Sequence, residues 1–200
     1  MANPFAVEQK TYEQFPNDEF VDATLLAYFQ ADLPPGPLAD TNDVVPCVKF
    51  LFGGYVKDDN GNIKTDDTGK PIIVRKWTNW MRISNNKKAN IMKVFNGFGK
   101  DGVPALFDVL QDCADLGGKL WSMPYKILLE QSDKYQNIIK IKPGNNQKLV
   151  EDVFYDDKYI PYKVVKAYGK TQCLTLAGCK FSKGVKTFTP EEMAEPSSEG

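Results

Sequence analysis

The sequence predicts a mainly β domain, a small barrel or sandwich with one or two short helices inserted between strands. Three observations predict it. Four or five apolar stretches of strand length are rich in β-branched and aromatic residues. Polar segments with Gly, Pro, Asn and Asp separate them. Helical spacing of apolar residues occurs only in two short central segments. The 200 residues, 42% hydrophobic and 26% charged, suffice for one buried core. Residues 1–18 read as an N-terminal arm, 19–188 as one domain and 189–200 as a mobile acidic tail. No internal repeat emerges.

The elements follow in order. Phe20, Val21, Ala23, Leu25, Leu26, Tyr28 and Phe29 predict a first strand over Glu19–Gln30. Pro34, Pro35, Gly36 and Pro37 make Asp32–Asp43 a loop. Val44–Val56 predicts a second strand, with Val48, Phe50 and Phe52 alternating against Lys49 and Leu51. Lys57–Gly69 is polar and glycine-bearing and predicts a mobile hairpin tip. Pro71–Ile83 predicts a third strand. If it is regular, Arg75, Trp77 and Asn79 share one face, and Lys76, Thr78, Trp80 and Arg82 the other. Ser84 predicts the N-cap of a helix from Asn85 to Asn96, with Ile91, Val94 and Phe95 on its apolar face. A second helix is expected over Pro104–Asp115, ended by Gly117 and Gly118. Lys119–Glu130 and Lys134–Lys142 predict further strands, and Pro143–Asn146 a turn. Val164–Tyr168 and Leu174–Ala177 are short strand-like pieces.

Several function classes are disfavoured. The chain has no histidine, so Ser84, Ser122 and the cysteines lack the commonest activating base. Cys47, Cys113, Cys173 and Cys179 form no CxxC pair and read as free thiols in or near the core. Gly97, Gly99 and Gly102 follow a predicted helix, the wrong context for a phosphate loop. Asp58, Asn60 and Gly61 superficially match a calcium loop, but Val56 stands where its first aspartate belongs. Binding without catalysis is therefore expected, with no metal and no cofactor. No apolar run approaches bilayer length, and Met1–Lys10 lacks a secretory pattern, so a cytoplasmic protein is expected.

Charge is unevenly placed. The net charge is −1, yet residues 1–69 hold twelve acids and four bases. Residues 70–100 hold eight bases and no acid. Trp77 and Trp80 lie inside this basic stretch, and such a strand is expected to bury one tryptophan and present the other. A ring beside a cation suits single-stranded nucleic acid: bases stack on the ring and the cation meets the phosphate. The candidate DNA-binding residues are Arg75, Lys76, Trp77, Trp80, Arg82, Lys87, Lys88 and Lys93.

The segment Gly53–Pro143 resembles a family of small single-stranded-DNA-binding proteins encoded in the replication modules of tailed phages. The likeness lies in an ordered set of features. Phe52-Gly53-Gly54-Tyr55-Val56 ends a strand, and an Asp- and Gly-bearing insertion leads to Gly69-Lys70-Pro71. Trp77-Thr78-Asn79-Trp80-Met81-Arg82-Ile83-Ser84 precedes the lysine-bearing segment Asn86–Lys93. Leu116-Gly117-Gly118-Lys119 and Tyr135-Gln136-Asn137-Ile138 follow. The resemblance implies an OB-type barrel with its helix between strands, binding DNA without strict sequence preference in replication or recombination. It also implies a host-cell location and recruitment of replication proteins through the acidic tail, although no aromatic follows Phe188. Leu149–Thr187 has no counterpart in the family. The competing class is a structural virion or assembly protein that packs its aromatics against other subunits. The sequence leaves homo-oligomerisation open.

Overall fold

One long strand organises the sheet. In the computed structural model, which describes residues 13–33, 44–112, 119–132, 135–154, 162–167 and 170–175, β1 spans Phe20–Leu33. It pairs antiparallel with β5 (Tyr125–Ser132) over Phe20–Ala23 and with β2 (Val45–Tyr55) from Thr24 onward. Ala23–Tyr28 is buried without a break, because this stretch faces two cores. Leu25 and Tyr28 point to the inner core, and Leu26 and Ala27 to the outer one. A bulge between Leu25 and Ala27 makes both possible.

β2 pairs on its other side with β3 (Ile73–Trp77) and β4 (Met81–Arg82), and β5 pairs with β6 (Tyr135–Pro143). These six strands are antiparallel. β7 (Tyr162–Ala167) joins β1 in parallel, and β8 (Lys170–Thr175) pairs antiparallel with β7. The path β3-β2-β1-β5-β6 curls until β3 and β6 lie side by side. No ladder joins those two strands, so the sheet is not closed into a barrel.

Gly53 and Gly54 lie against the bend in β1. A Cβ on Gly54 would collide with the Asp22 carbonyl oxygen and lie 3.1 Å from the Phe15 ring. A Cβ on Gly53 would meet the end of the Leu26 side chain at 2.5 Å. The two glycines let β1 and β2 approach where β1 changes partners.

The segment 57–71 forms two turns rather than one hairpin tip. Two isolated bridges, Lys57 to Ile63 and Thr65 to Pro71, fold it into two successive turns. Each turn reads Asp-Asp-x-Gly, a local repetition that the sequence reading does not resolve. Asp58 Oδ1 accepts the Asn60 and Asn62 N–H groups at 2.9 and 2.8 Å. Asp66 Oδ1 accepts the Thr68 and Lys70 N–H groups at 2.9 and 3.0 Å. Gly61 and Gly69 both take positive φ, 82° and 79°, which closes each turn. These amides hold the Asp58 carboxyl below its ordinary value, led by the bond from Asn62.

Among the described residues four short helices surround the sheet: α1 (Asn90–Val94), α2 (Leu106–Asp112), α3 (Lys119–Ser122) and α4 (Gln147–Phe154). The helix expected from Asn85 begins only at Asn90. Ser84 and Asn86 instead accept the N–H groups of Asn86 and Lys88, forming side-chain-closed turns. α1 and the turn after it drive Ile91, Val94, Phe95 and Phe98 into the inner core, with Phe95 edge-on to Phe50 at 5.1 Å. The strand expected from Lys119 starts at Tyr125, because α3 buries Leu120 and Trp121 and Leu120 accepts the Tyr125 hydroxyl. α4 has no counterpart among the expected elements. Asn146 caps it by accepting the Leu149 N–H, and Leu149 joins Leu26, Ala27 and Leu51 in the outer core. Tyr55 donates to Asp152 at 2.8 Å and ties α4 to β2.

Residues 13–18 lie on the domain and bridge the two ends of the sheet. Phe15 is 3% exposed and belongs to the inner core. On the β5–β6 side, Gln136 Nε2 donates to the Phe15 carbonyl at 2.6 Å and to Asn17 Oδ1 at 2.9 Å. Asp18 N–H donates to the Leu129 carbonyl. On the β2–β3 side, Glu13 pairs with Lys64 at 3.0 Å. Residues 1–12 and the acidic tail lie outside the described residues.

Gly54→Ala is expected to cost about 3 kcal/mol in denaturant unfolding, because backbone must move. Gly53→Ala should cost less, since a flexible side chain can yield; equal losses would refute this account of the bend. For segment 57–71, adding calcium should leave the melting temperature unchanged, whereas Gly61→Ala should destabilise by about 1 kcal/mol. A calcium-dependent rise in melting temperature would show that the aspartates serve a metal.

Candidate functional site

The open seam between β3 and β6 holds a cleft of about 490 Å³. β3 and the residues after it line one side: Arg75, Lys76, Trp77, Thr78 and Asn79. Ser132, Tyr135, Gln136 and Asn137 of the β5–β6 hairpin line the other, with Lys49 from β2 and Gln14 from the N-terminal segment. Among the described residues no acid lines it, and no carboxylate lies within ion-pair distance of Lys49, Arg75 or Lys76.

Local structure explains the placement. Trp77 stands opposite Leu51 in the β2–β3 ladder, and its ring stacks on Phe29 at 4.9 Å with planes 24° apart. Lys49 Nζ lies 5.0 Å from the centre of that ring, within cation–π range. Lys76 stands opposite the buried Phe52, so its stem points inward. Burial pushes the Lys76 ammonium below the ordinary lysine value. A partly desolvated cation with no carboxylate beside it among the described residues attracts any anion entering the cleft. Tyr135 is 74% exposed at the hairpin end.

The third strand is not regular. Thr78 N–H donates to the Phe50 carbonyl at 2.9 Å, and Thr78 Oγ1 accepts the Phe50 N–H at 3.0 Å. The hydroxyl replaces a ladder carbonyl, and the register slips by one residue before β4: Trp77 faces Leu51, but Arg82 faces Cys47. Arg82 consequently joins the face of Arg75, Trp77 and Lys49, rather than the opposite face. Neither Trp77 nor Trp80 is core. Each is 37% exposed, and the buried tryptophan is Trp121, at 1%.

Of the eight candidate residues, Arg75, Lys76 and Trp77 meet in the cleft, and Arg82 shares the outer face of the sheet with Lys49. Trp80 sits in the β3–β4 link, outside the cleft lining. Lys87 and Lys88 are exposed in the turn before α1, and Lys93 is exposed in its last turn. Lys49 and Tyr135 lie outside the set that the sequence predicts. The signal for Lys49 was a lone cation inside the apolar strand Val48–Phe52, and for Tyr135 the Tyr-Gln-Asn motif.

Cys47 is buried, and burial pushes its thiol up, with the nearby Arg82 opposing and Asp32 adding to the shift. It is poorly suited to act as a nucleophile. Among the described residues no group of three or more Cys, Asp or Glu could hold a metal, and no helix is long and apolar enough to cross a membrane. Comparison with family models, curated proteins and solved structures returns no match.

Replacing Lys76 tests the electrostatics of the cleft. Lys76→Met should leave the free protein as stable or stabilise it by about 0.5 kcal/mol, since a partly desolvated charge is removed and water still screens it. Anion binding in the parent should weaken as pH rises through the lowered lysine value, where the ammonium loses its charge, and this dependence should be reduced in the variant. A large loss of stability in Lys76→Met would instead make Lys76 a structural residue.

Proposed function

We propose that the cleft binds single-stranded DNA, without strict sequence preference and without catalysis. The observation that carries this reading is the lining itself: three cations with no carboxylate in ion-pair range among the described residues, beside two exposed aromatic rings, Trp77 and Tyr135. Rings accept any base by stacking, and cations accept any phosphate, so such a lining is indifferent to sequence. An unpaired base reaches a ring across a narrow cleft, whereas bases within a duplex are already stacked.

Strand order supports the same reading. β1-β2-β3 is a meander, helices intervene, and the β5–β6 hairpin returns to β1 and beside β3. An OB-type barrel left open at one seam would account for this order. OB folds bind nucleic acid on their second and third strands, between the loops after strands one and four. Here Lys49 lies on the second strand, Arg75–Trp77 on the third, and Tyr135 beside the corresponding later loop. The resemblance to phage single-stranded-DNA-binding proteins points to replication or recombination in the host cytoplasm as the setting. The acidic tail would recruit replication partners.

A fluorescence titration with a thymidine oligonucleotide at two salt concentrations tests the proposal. Affinity should fall steeply with salt. Trp77→Ala or Tyr135→Ala should cost about 1–3 kcal/mol of binding with little change in the salt slope. Lys49→Ala together with Arg75→Ala should flatten that slope by about 0.7 for each phosphate no longer neutralised. Absence of binding at low salt would favour the alternative, an assembly protein using these rings against other subunits.

A further inference from the structure

The cleft has a third wall whose position is set from within the cleft. Gln14 lines the cleft, and Gln136 lines it from the β6 side. Both side-chain hydrogens of Gln136 are engaged by the N-terminal segment, at the Phe15 carbonyl and at Asn17 Oδ1. Both partners are acceptors, which fixes the orientation of the amide. Gln136 is 9% exposed, and Phe15, one residue beyond Gln14, is buried beneath the same segment. The far end of the segment reaches the β2–β3 meander through Glu13 and Lys64. The segment thus crosses the seam that no ladder closes.

We propose that residues 13–18 are part of the ligand-binding site, with Gln14 touching the bound strand and Gln136 as the positioning residue that holds this wall in place. The proposal builds on the nucleic-acid reading for its ligand, but the position of the wall can be measured without one. The released segment would widen the cleft on the side of Trp77, and it would withdraw Gln14 from a bound strand. Gln136 itself acts through the backbone it grips.

The experiment compares full-length parent, Gln136→Met and Asn17→Ala. Methionine keeps the length of the side chain and removes both donors, while Asn17 is exposed and its loss leaves the core intact. Iodide quenching of tryptophan fluorescence should rise in Gln136→Met, and less in Asn17→Ala. The rise should vanish in a Trp77→Phe background, because it reports the cleft. Oligonucleotide affinity should fall about fivefold in Gln136→Met, the scale of one net hydrogen bond, with the salt slope unchanged because no cation is removed. Gln14→Ala should lower affinity similarly without altering the quenching of the free protein. Unchanged quenching in folded Gln136→Met and Asn17→Ala would overturn the proposal. So would raised quenching with undiminished affinity for an oligonucleotide that the parent binds. If the parent binds none, the nucleic-acid reading fails, and the quenching result alone decides the wall.

Discussion

The close passage of β1 over Gly53 and Gly54 is the constraint on which the rest of the sheet depends. β1 must serve β5 at its start and β2 along the remainder. A strand does this only by bending, and the bend brings Asp22 and Leu26 against the backbone of β2. The bulge then splits neighbouring side chains between two cores. Leu25 packs with Phe50 and Phe52, whereas Leu26 packs with Leu51 and Leu149. Without that split, α4 would have no apolar floor, and β5 would not return to curl the sheet toward β3.

The curl stops short of closure, and the cleft lies where it stops. The edges of β3 and β6 do not pair, so polar and charged side chains collect there at little cost to the core. Thr78 completes the arrangement by satisfying Phe50 from its own side chain, which lets the chain slip by one residue. The slip sets Arg82 on the face of Lys49 and Trp77. Lys49, Arg75 and Arg82 thereby share one face of the sheet, on a protein whose net charge is −1.

Much of the fold was legible in the sequence because burial leaves a periodic trace. β1, β2 and β6 fall close to their predicted bounds, where Val48, Phe50, Ile138 and Ile141 mark the inner face. What the trace does not carry is register. Arg75 and Arg82 lie on opposite parities in the sequence and on one face in the structure, because a hydroxyl replaced a carbonyl in the ladder. Helix boundaries failed for a related reason. Ser84 and Asn86 are good caps, but they close separate turns before a helix that starts with no side-chain cap at Ala89. Within the basic run, Arg75, Lys76 and Trp77 form one wall of the cleft. Tyr135, Gln136 and Gln14 lie far from it in the chain, and only the curled sheet brings them near.

The double pairing of β1 also orders events in time. β1 and β2 can meet as soon as a short loop is made, but the start of β1 waits for β5, about 100 residues later. At translation speeds of about 5–20 residues per second, that wait lasts roughly 5–20 seconds. During it, the edge of Phe20–Ala23 has no strand to pair with, and the apolar faces of β1 and β2 lack most of their cover. Parallel pairing with β7 comes later still, at Tyr162–Lys166. A chain built around one shared strand is therefore made with its central element early and two of that element's partners late, and the start of β1 is left without its partner strand until β5 has been made.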